Sequence, residues 1–253
     1  MPTRFYMRFN LHSSAGHFPA SVDIFERLLS DGRERLQSEL DDFERIQSDR
    51  IARLKKDFFG EIEKIKNKKV LFVGDSITSD NLGYRRSVTR AATLVAYDAS
   101  VSGGVSAMML QDTQKLSKLH CPDIISIMIG TNDSMSIDGI PLVSVEEYER
   151  NLRALIGWAK RNGGAVLLFE IPPIEESSFK RLYTPLGQTQ SNENIRKYNL
   201  ALKKVAEENS IGLISDQWIL ECDGMFEPDG IHLSIHAQEK FAERWIVEAA
   251  KHF

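Results

Sequence analysis

Only two cysteines, Cys121 and Cys222, occur in 253 residues, which excludes a disulfide-built scaffold. Each flanks a different strand-like run. Were those strands parallel, the thiols would lie about 20 Å apart, beyond the ~7 Å Cα limit of a disulfide, so both are expected to be free. No apolar run approaches the ~20 residues that span a bilayer. The opening "MPTRFYMRFNLHSSAGHFPA" lacks the continuous apolar core of a signal peptide. A cytoplasmic protein without a membrane span is therefore expected. Basic charge is not in surplus either. The formal net charge is -4, which argues against nucleic acid as the main partner. Neither G-x-x-x-x-G-K-[ST] nor G-x-G-x-x-G occurs, so no phosphate-cradling loop of those kinds is expected, and no cofactor.

What is present suits a folded domain with a sizeable core: 42% of residues are hydrophobic and 27% charged. Two regions differ in pattern. Over residues 21 to 66, Leu36, Leu40, Phe43, Ile46, Leu54, Phe58, Ile62 and Ile65 recur at three- and four-residue spacing among charged residues. This predicts one amphipathic helix of roughly ten turns. The spacing slips between Ile46 and Leu54, so no clean heptad is read. The helix either packs along the rest of the chain or serves a partner, a homodimer among them. The first 20 residues carry Phe5, Tyr6 and Phe9, which read as exposed aromatics on an arm. Residues 1–66 are thus one unit, arm plus long helix, and 67–253 a second.

From Lys69 onward, near-continuous apolar runs alternate with helical patterns. "VLFVG" (70–74), "TLVAYDA" (93–99), "DIISIMIG" (123–130), "AVLLFEIP" (165–172) and "IGLISDQW" (211–218) read as strands buried on both faces. Helices are predicted over 144–162, 192–210 and 234–252, the last with Ser234 as its cap. Five alternations imply a parallel sheet between helical layers. In such a sheet, ligands bind at the carboxyl ends of the strands. Asp75 and Ser76 follow the first strand, Gly103 and Gly104 the second, Asn132 and Asp133 the third, and Asp229 and His232 the fifth. Those are the parts of an acyl-transfer site. A serine hydroxyl needs a base, a histidine needs a carboxylate to orient it, and an oxyanion needs donors.

"GDSI", "SVSGG", "GTND" and "DGIH", in this order, resemble the four blocks of the SGNH-hydrolase superfamily, also called GDSL esterases and lipases. The likeness spans residues 69 to 250 and leaves 1–66 outside. It implies a three-layer α/β/α sandwich, flavodoxin-like, with a five-stranded parallel sheet in the order 2-1-3-4-5, here carrying an N-terminal helical extension. It also implies a serine esterase or acylhydrolase with Ser76 as nucleophile, His232 as base and Asp229 as orienting acid. Ser76 and Gly103, through their backbone N–H groups, and the Asn132 amide would form the oxyanion hole. Gly103 is taken over Gly104 because it aligns with the block's last glycine. Threonine at position 78 departs from G-x-S-x-G, which sets the chain apart from α/β-hydrolases.

Several residues carry a structural alternative. Asp75 reads as a loop-pinning acceptor and Asp133 as a loop former rather than an acid. Asp229, His232 and His236 form a D-x-x-H-x-x-x-H run, but the esterase reading uses the first two without the third, so no metal is expected. The stretch "PPIEESSFKRLYTPLGQTQSN" reads as a long lid-like loop. In it Phe179 and Tyr183 either line a substrate wall or plug the loop onto the core. Arg85, Arg86 and Arg90 either attract an anionic substrate or sit solvated on a helix. The expected substrate is a short acyl or O-acetyl ester of a small molecule or glycan. Acyl transfer by the same site, or a helix-based scaffold with a vestigial hydrolase domain, are the alternatives.

Overall fold

The computed structural model describes residues 3–9, 21–29, 31–161 and 163–253. Eleven α-helices are placed among the described residues: α1 (Thr3–Phe9), α2 (Val22–Leu28), α3 (Arg33–Asp57), α4 (Phe59–Ile65), α5 (Ser76–Ser79), α6 (Tyr84–Ala91), α7 (Ser106–His120), α8 (Val145–Arg161), α9 (Glu176–Tyr183), α10 (Asn192–Glu208) and α11 (Ile235–Ala250). The strands are β1 (Lys69–Gly74), β2 (Val95–Ser100), β3 (Ile124–Met128), β4 (Ser136–Ile137), β5 (Ile140–Pro141), β6 (Ala165–Phe169), β7 (Gln188–Thr189) and β8 (Leu213–Ile214).

The main sheet runs β2-β1-β3-β6-β8, all parallel. With the short strands β4, β5 and β7 set aside in their own small sheet, this is the expected order 2-1-3-4-5. Side chains alternate across each strand, and both faces are apolar. Val70, Phe72, Ile124 and Met128 point into one core with α4, α6 and α11. Leu71, Val73, Ile125 and Ile127 point into the other with α7, α8 and α10. Three layers result. The register sets the site's geometry: Gly74 is level with Ser100 on one side and with Met128 on the other. The chain therefore leaves three adjacent strands at one height.

The N-terminal region differs from its expected single helix. α2 ends before Gly32, and the run 33–65 divides at Phe58, whose φ of -124° and ψ of 35° are not helical. The apparent slip after Ile46 has a physical cause. The buried positions of α3 are Leu36, Phe43, Gln47, Arg50 and Leu54, which keep three- and four-residue steps from Phe43 onward. Gln47 and Arg50 hold that seam with polar groups, so a hydrophobic count sees a gap. The seam packs on its own chain. Met7, Phe25, Leu36 and Phe43 share a small core with Leu82. Phe5 and Phe9, read as exposed, are buried, and only Tyr6 is open to solvent. Residues 10–20 of the expected arm, and the last residue of the helix expected over 144–162, lie outside the described residues.

The lid-like loop is also corrected. α9, a 3-10 turn (Thr184–Leu186) and β7 occupy most of it. Glu175 caps α9 by accepting from the N–H groups of Ser177 and Ser178. Cys121 and Cys222 are free and exposed. No described helix is long and apolar enough to cross a membrane.

Candidate active site

Asp75 closes β1 and caps α5, its carboxylate accepting from Ile77 N–H at 3.0 Å. This is the loop-pinning role expected of it, and full burial pushes its carboxyl above the usual range. The cap turns the chain sharply and sets Ser76 at the first position of α5. At the far end of the chain, residues 225 to 234 form a tight hairpin closed by Glu227 N–H to His232 O at 2.7 Å and Ser234 N–H to Met225 O at 2.9 Å. Gly230 turns it at φ +75°, and a Cβ there would lie 2.4 Å from Glu175 O. Across 156 residues of sequence, His232 Nε2 comes to 2.8 Å from Ser76 Oγ. His232 Nδ1 lies 2.5 Å from Asp229 Oδ2. Both ring nitrogens are thereby engaged.

Asp229 Oδ1 accepts from the backbone N–H groups of Ile231 and His232 at 3.1 and 3.0 Å. Burial alone would raise this carboxyl, but the hydrogen bonds from His232 and from the two amides hold it below the ordinary carboxylate range. It is an anion facing an imidazole. Ser76 is 6% and His232 5% exposed, so this chain of hydrogen bonds works largely out of water.

The second and third strand exits meet beside it. Gly103 is the third residue of a turn closed by Gly104 N–H to Val101 O at 2.9 Å, and its φ of +74° is one that glycine adopts without strain. Asn132 donates its side-chain amide to Gly104 O at 2.9 Å, tying the two exits together. Asp133 accepts from Ser106 N–H, at 3.0 Å to both carboxylate oxygens, and from the Ser106 hydroxyl. Asn151 donates to the same hydroxyl at 3.0 Å. Asp133 is a brace, as expected, and burial pushes its carboxyl up to about 6.

Phe179 and Tyr183 do not form an open substrate wall. Phe179 is fully buried in the second core and stacks on Tyr183 with ring centroids 5.0 Å apart. Tyr183 donates to Asp229 Oδ2 at 3.0 Å. The plug reading describes Phe179, and no single-residue signal pointed Tyr183 at the acid. Arg85 pairs with Asp98 at 3.0 Å and Arg90 with Glu44 at 2.9 Å. Among the described residues no cluster of three His, Cys, Asp or Glu is placed to hold a metal ion, His236 included.

The family model for the GDSL-like lipases and acylhydrolases matches residues 72–240, two thirds of the sequence and all four strand exits. The chain belongs to the GDSL-like lipase/acylhydrolase family. Family membership makes it a carboxylic ester hydrolase. No curated protein matches it in sequence. Solved structures share its fold at low identity. The lipase/acylhydrolase from Enterococcus faecalis is 20% identical with a TM-score of 0.59, over 73% of this chain and 96% of its own. A catalytic mutant of the acetylxylan esterase Axe2 from Geobacillus stearothermophilus is 21% identical with a TM-score of 0.57, over 73% and 94%. The esterase EstA from Pseudoalteromonas sp. is 18% identical with a TM-score of 0.54, over 73% and 97%.

Proposed function

We propose that this GDSL-family hydrolase cleaves a short-acyl or O-acetyl ester of a small molecule or glycan through an acyl-enzyme on Ser76. The observation that carries the reading is the continuous Ser76–His232–Asp229 hydrogen-bond chain, at 2.8 and 2.5 Å. His232 Nε2 takes the hydroxyl proton as Ser76 Oγ attacks the ester carbonyl carbon. Asp229 holds the ring in the Nδ1–H tautomer and stabilises the imidazolium without itself taking the proton. The N–H groups of Ser76 and Gly103 and the Asn132 amide are the donors for the oxyanion. Collapse expels the alcohol, which receives the proton from Nε2. Water, deprotonated by the same nitrogen, then releases the carboxylic acid and restores Ser76.

The short-acyl part rests on enclosure. Ser76 and His232 are almost fully covered, and the rings of Phe5 and Phe9 crowd the imidazole at centroid distances of 5.3 and 4.0 Å. A small acyl group suits such a site better than a long chain. The fold likeness to an acetylxylan esterase is compatible with this. A p-nitrophenyl ester series from acetate to palmitate tests it, with a fluorophosphonate probe alongside. Turnover is expected to be highest for the shortest esters and to vanish in Ser76→Ala, with the probe on Ser76. Probe labelling that persists in Ser76→Ala would sink the nucleophile assignment, and fastest turnover on palmitate would sink the short-acyl one.

A further inference from the structure

We propose that the N-terminal helix α1 is a working part of the esterase site, and that Arg8 is a positioning residue holding the Ser76 and His232 loops in register. The inference rests on the proposed roles of those two residues. α1 precedes the family match at residue 72, and the solved neighbours are covered to 94–97% of their length by 73% of this chain. What α1 does is therefore an addition to the shared fold.

Arg8 is 3% exposed, and its guanidinium is shared between both catalytic loops. Nε and Nη2 donate to the two carboxylate oxygens of Asp80 at 3.2 and 2.6 Å. Asp80 caps the C-terminal end of α5, the helix that begins at Ser76. Nη2 also donates to Leu233 O at 3.0 Å, and Nη1 pairs with Glu227. Glu227 and Leu233 stand on the two arms of the hairpin that presents Asp229 and His232, its arms joined by the Phe226–Leu233 bridge. One planar cation thus spans the nucleophile loop and the acid–base loop. Arginine suits this because its donors form a rigid fork, which the single ammonium of lysine cannot copy.

The backbone of α1 is held from the same side. Asn81 donates its N–H to Arg8 O at 2.9 Å and its side-chain amide to Met7 O at 2.6 Å, satisfying carbonyls the helix end leaves open. Phe9 lies over the His232 ring and Phe5 meets it edge-on. A second arginine repeats the design one step further out. Arg50 of α3, fully buried, donates to Leu82 O at 2.6 Å, Ser87 Oγ at 3.0 Å and Ile235 O at 2.9 Å. Again one side chain joins the stretch after Ser76 to the stretch after His232. The geometry matters because a nucleophile and base displaced by ~1 Å can lose about 10²-fold in rate.

The test uses the full chain, with p-nitrophenyl acetate turnover and the rate of Ser76 labelling by a fluorophosphonate as two readouts. For Arg8→Met, kcat is expected to fall about tenfold or more with KM within about threefold, and labelling to slow by a similar factor. Unfolding should remain a single transition. Arg8→Lys should recover little of the loss. Arg153→Ala, an exposed arginine whose ion pairs with Glu149 and Glu208 lie on α8 and α10, should stay within about twofold of wild type. Unchanged kcat in Arg8→Met overturns the proposal, and faster turnover or labelling overturns it in favour of α1 as an inhibitory lid. If Arg8→Met fails to fold, Glu227→Gln cuts one arm of the bridge. It is expected to lower kcat about threefold or more, and an unchanged kcat overturns the proposal equally. Turnover that survives Ser76→Ala takes down the catalytic reading and this one with it. Ser76-dependent turnover indifferent to Arg8 takes down this one alone.

Discussion

Tyr183 donates its hydroxyl to Asp229 Oδ2 at 3.0 Å, and the same oxygen faces His232 Nδ1 at 2.5 Å. The carboxylate that faces the imidazole is also held by a phenol from α9. Glu175 N–H, at the start of that helix, donates to Gly230 O at 2.8 Å, so α9 is fastened at both ends to the hairpin that carries Asp229 and His232.

Tyr183→Phe removes this donor while keeping the ring that stacks on Phe179. The expected result is a kcat about three- to tenfold lower with little change in KM, because the carboxylate loses a restraint and the substrate loses no contact. Burial and the neighbouring Asp229 raise the phenol above its ordinary value, so it stays a donor up to at least pH 9. The ratio of wild-type to variant kcat should accordingly be flat between pH 6 and about pH 9. A ratio that changes through neutral pH would contradict this assignment.

Asn132→Ala removes a candidate oxyanion donor and the tie to Gly104 O. Loss of such a donor costs about 10²–10³ in kcat. Steady-state kinetics on a p-nitrophenyl ester should show that loss chiefly in kcat. A decrease below about tenfold would reduce Asn132 to a turn residue.

Phe179→Ala separates a core role from a binding role. Emptying a fully buried phenylalanine site costs about 3–5 kcal/mol of stability. Urea unfolding should show that drop, while KM for a short ester changes little at temperatures where the variant is folded. A raised KM with unaltered stability would restore the substrate-wall reading.

Asp133 supplies a pH test. Its carboxyl rises from an ordinary 3.8 to about 6 because burial disfavours the charge. In the folded chain it therefore binds its proton more tightly than in the unfolded chain, and stability falls as pH rises from about 4 through 6. The full penalty, present above pH 6, is roughly 3 kcal/mol at ~1.36 kcal/mol for each tenfold change in proton affinity. Asp133→Asn keeps an acceptor for Ser106 N–H and has no such titration. Relative to wild type it should be more favoured at pH 7.5 than at pH 5 in urea unfolding. The opposite trend would show the carboxylate to be better satisfied than its burial implies.

Much of the molecule could be read from the chain. Alternating apolar runs specify a parallel sheet because strands covered on both faces need apolar side chains at every position. Candidate site residues could be collected because an open parallel sheet exposes its ligands at the strand ends, and the four-block resemblance singled out Ser76, Asn132, Asp229 and His232 among them. Asp75 and Asp133 read correctly as braces for the same reason, since carboxylates at turns satisfy backbone N–H groups. Local periodicity and turn chemistry determined these, and they act over a few residues.

Only the tertiary structure decided the rest. Gln47 and Arg50 looked like a break in a helix's apolar seam, because a polar residue is buried only when distant partners satisfy it, and those partners are Asn81, Leu82, Ser87 and Ile235. Phe179 and Tyr183 share a helix, yet one fills the core and the other grips Asp229, a choice made by the hairpin packed beside them. Arg8 and Phe9 carry no local mark of a role. Their placement against Asp80, Glu227 and His232 exists only because residues some 70 and 220 positions apart fold together. Such contacts are long-range, and no short-range pattern encodes them.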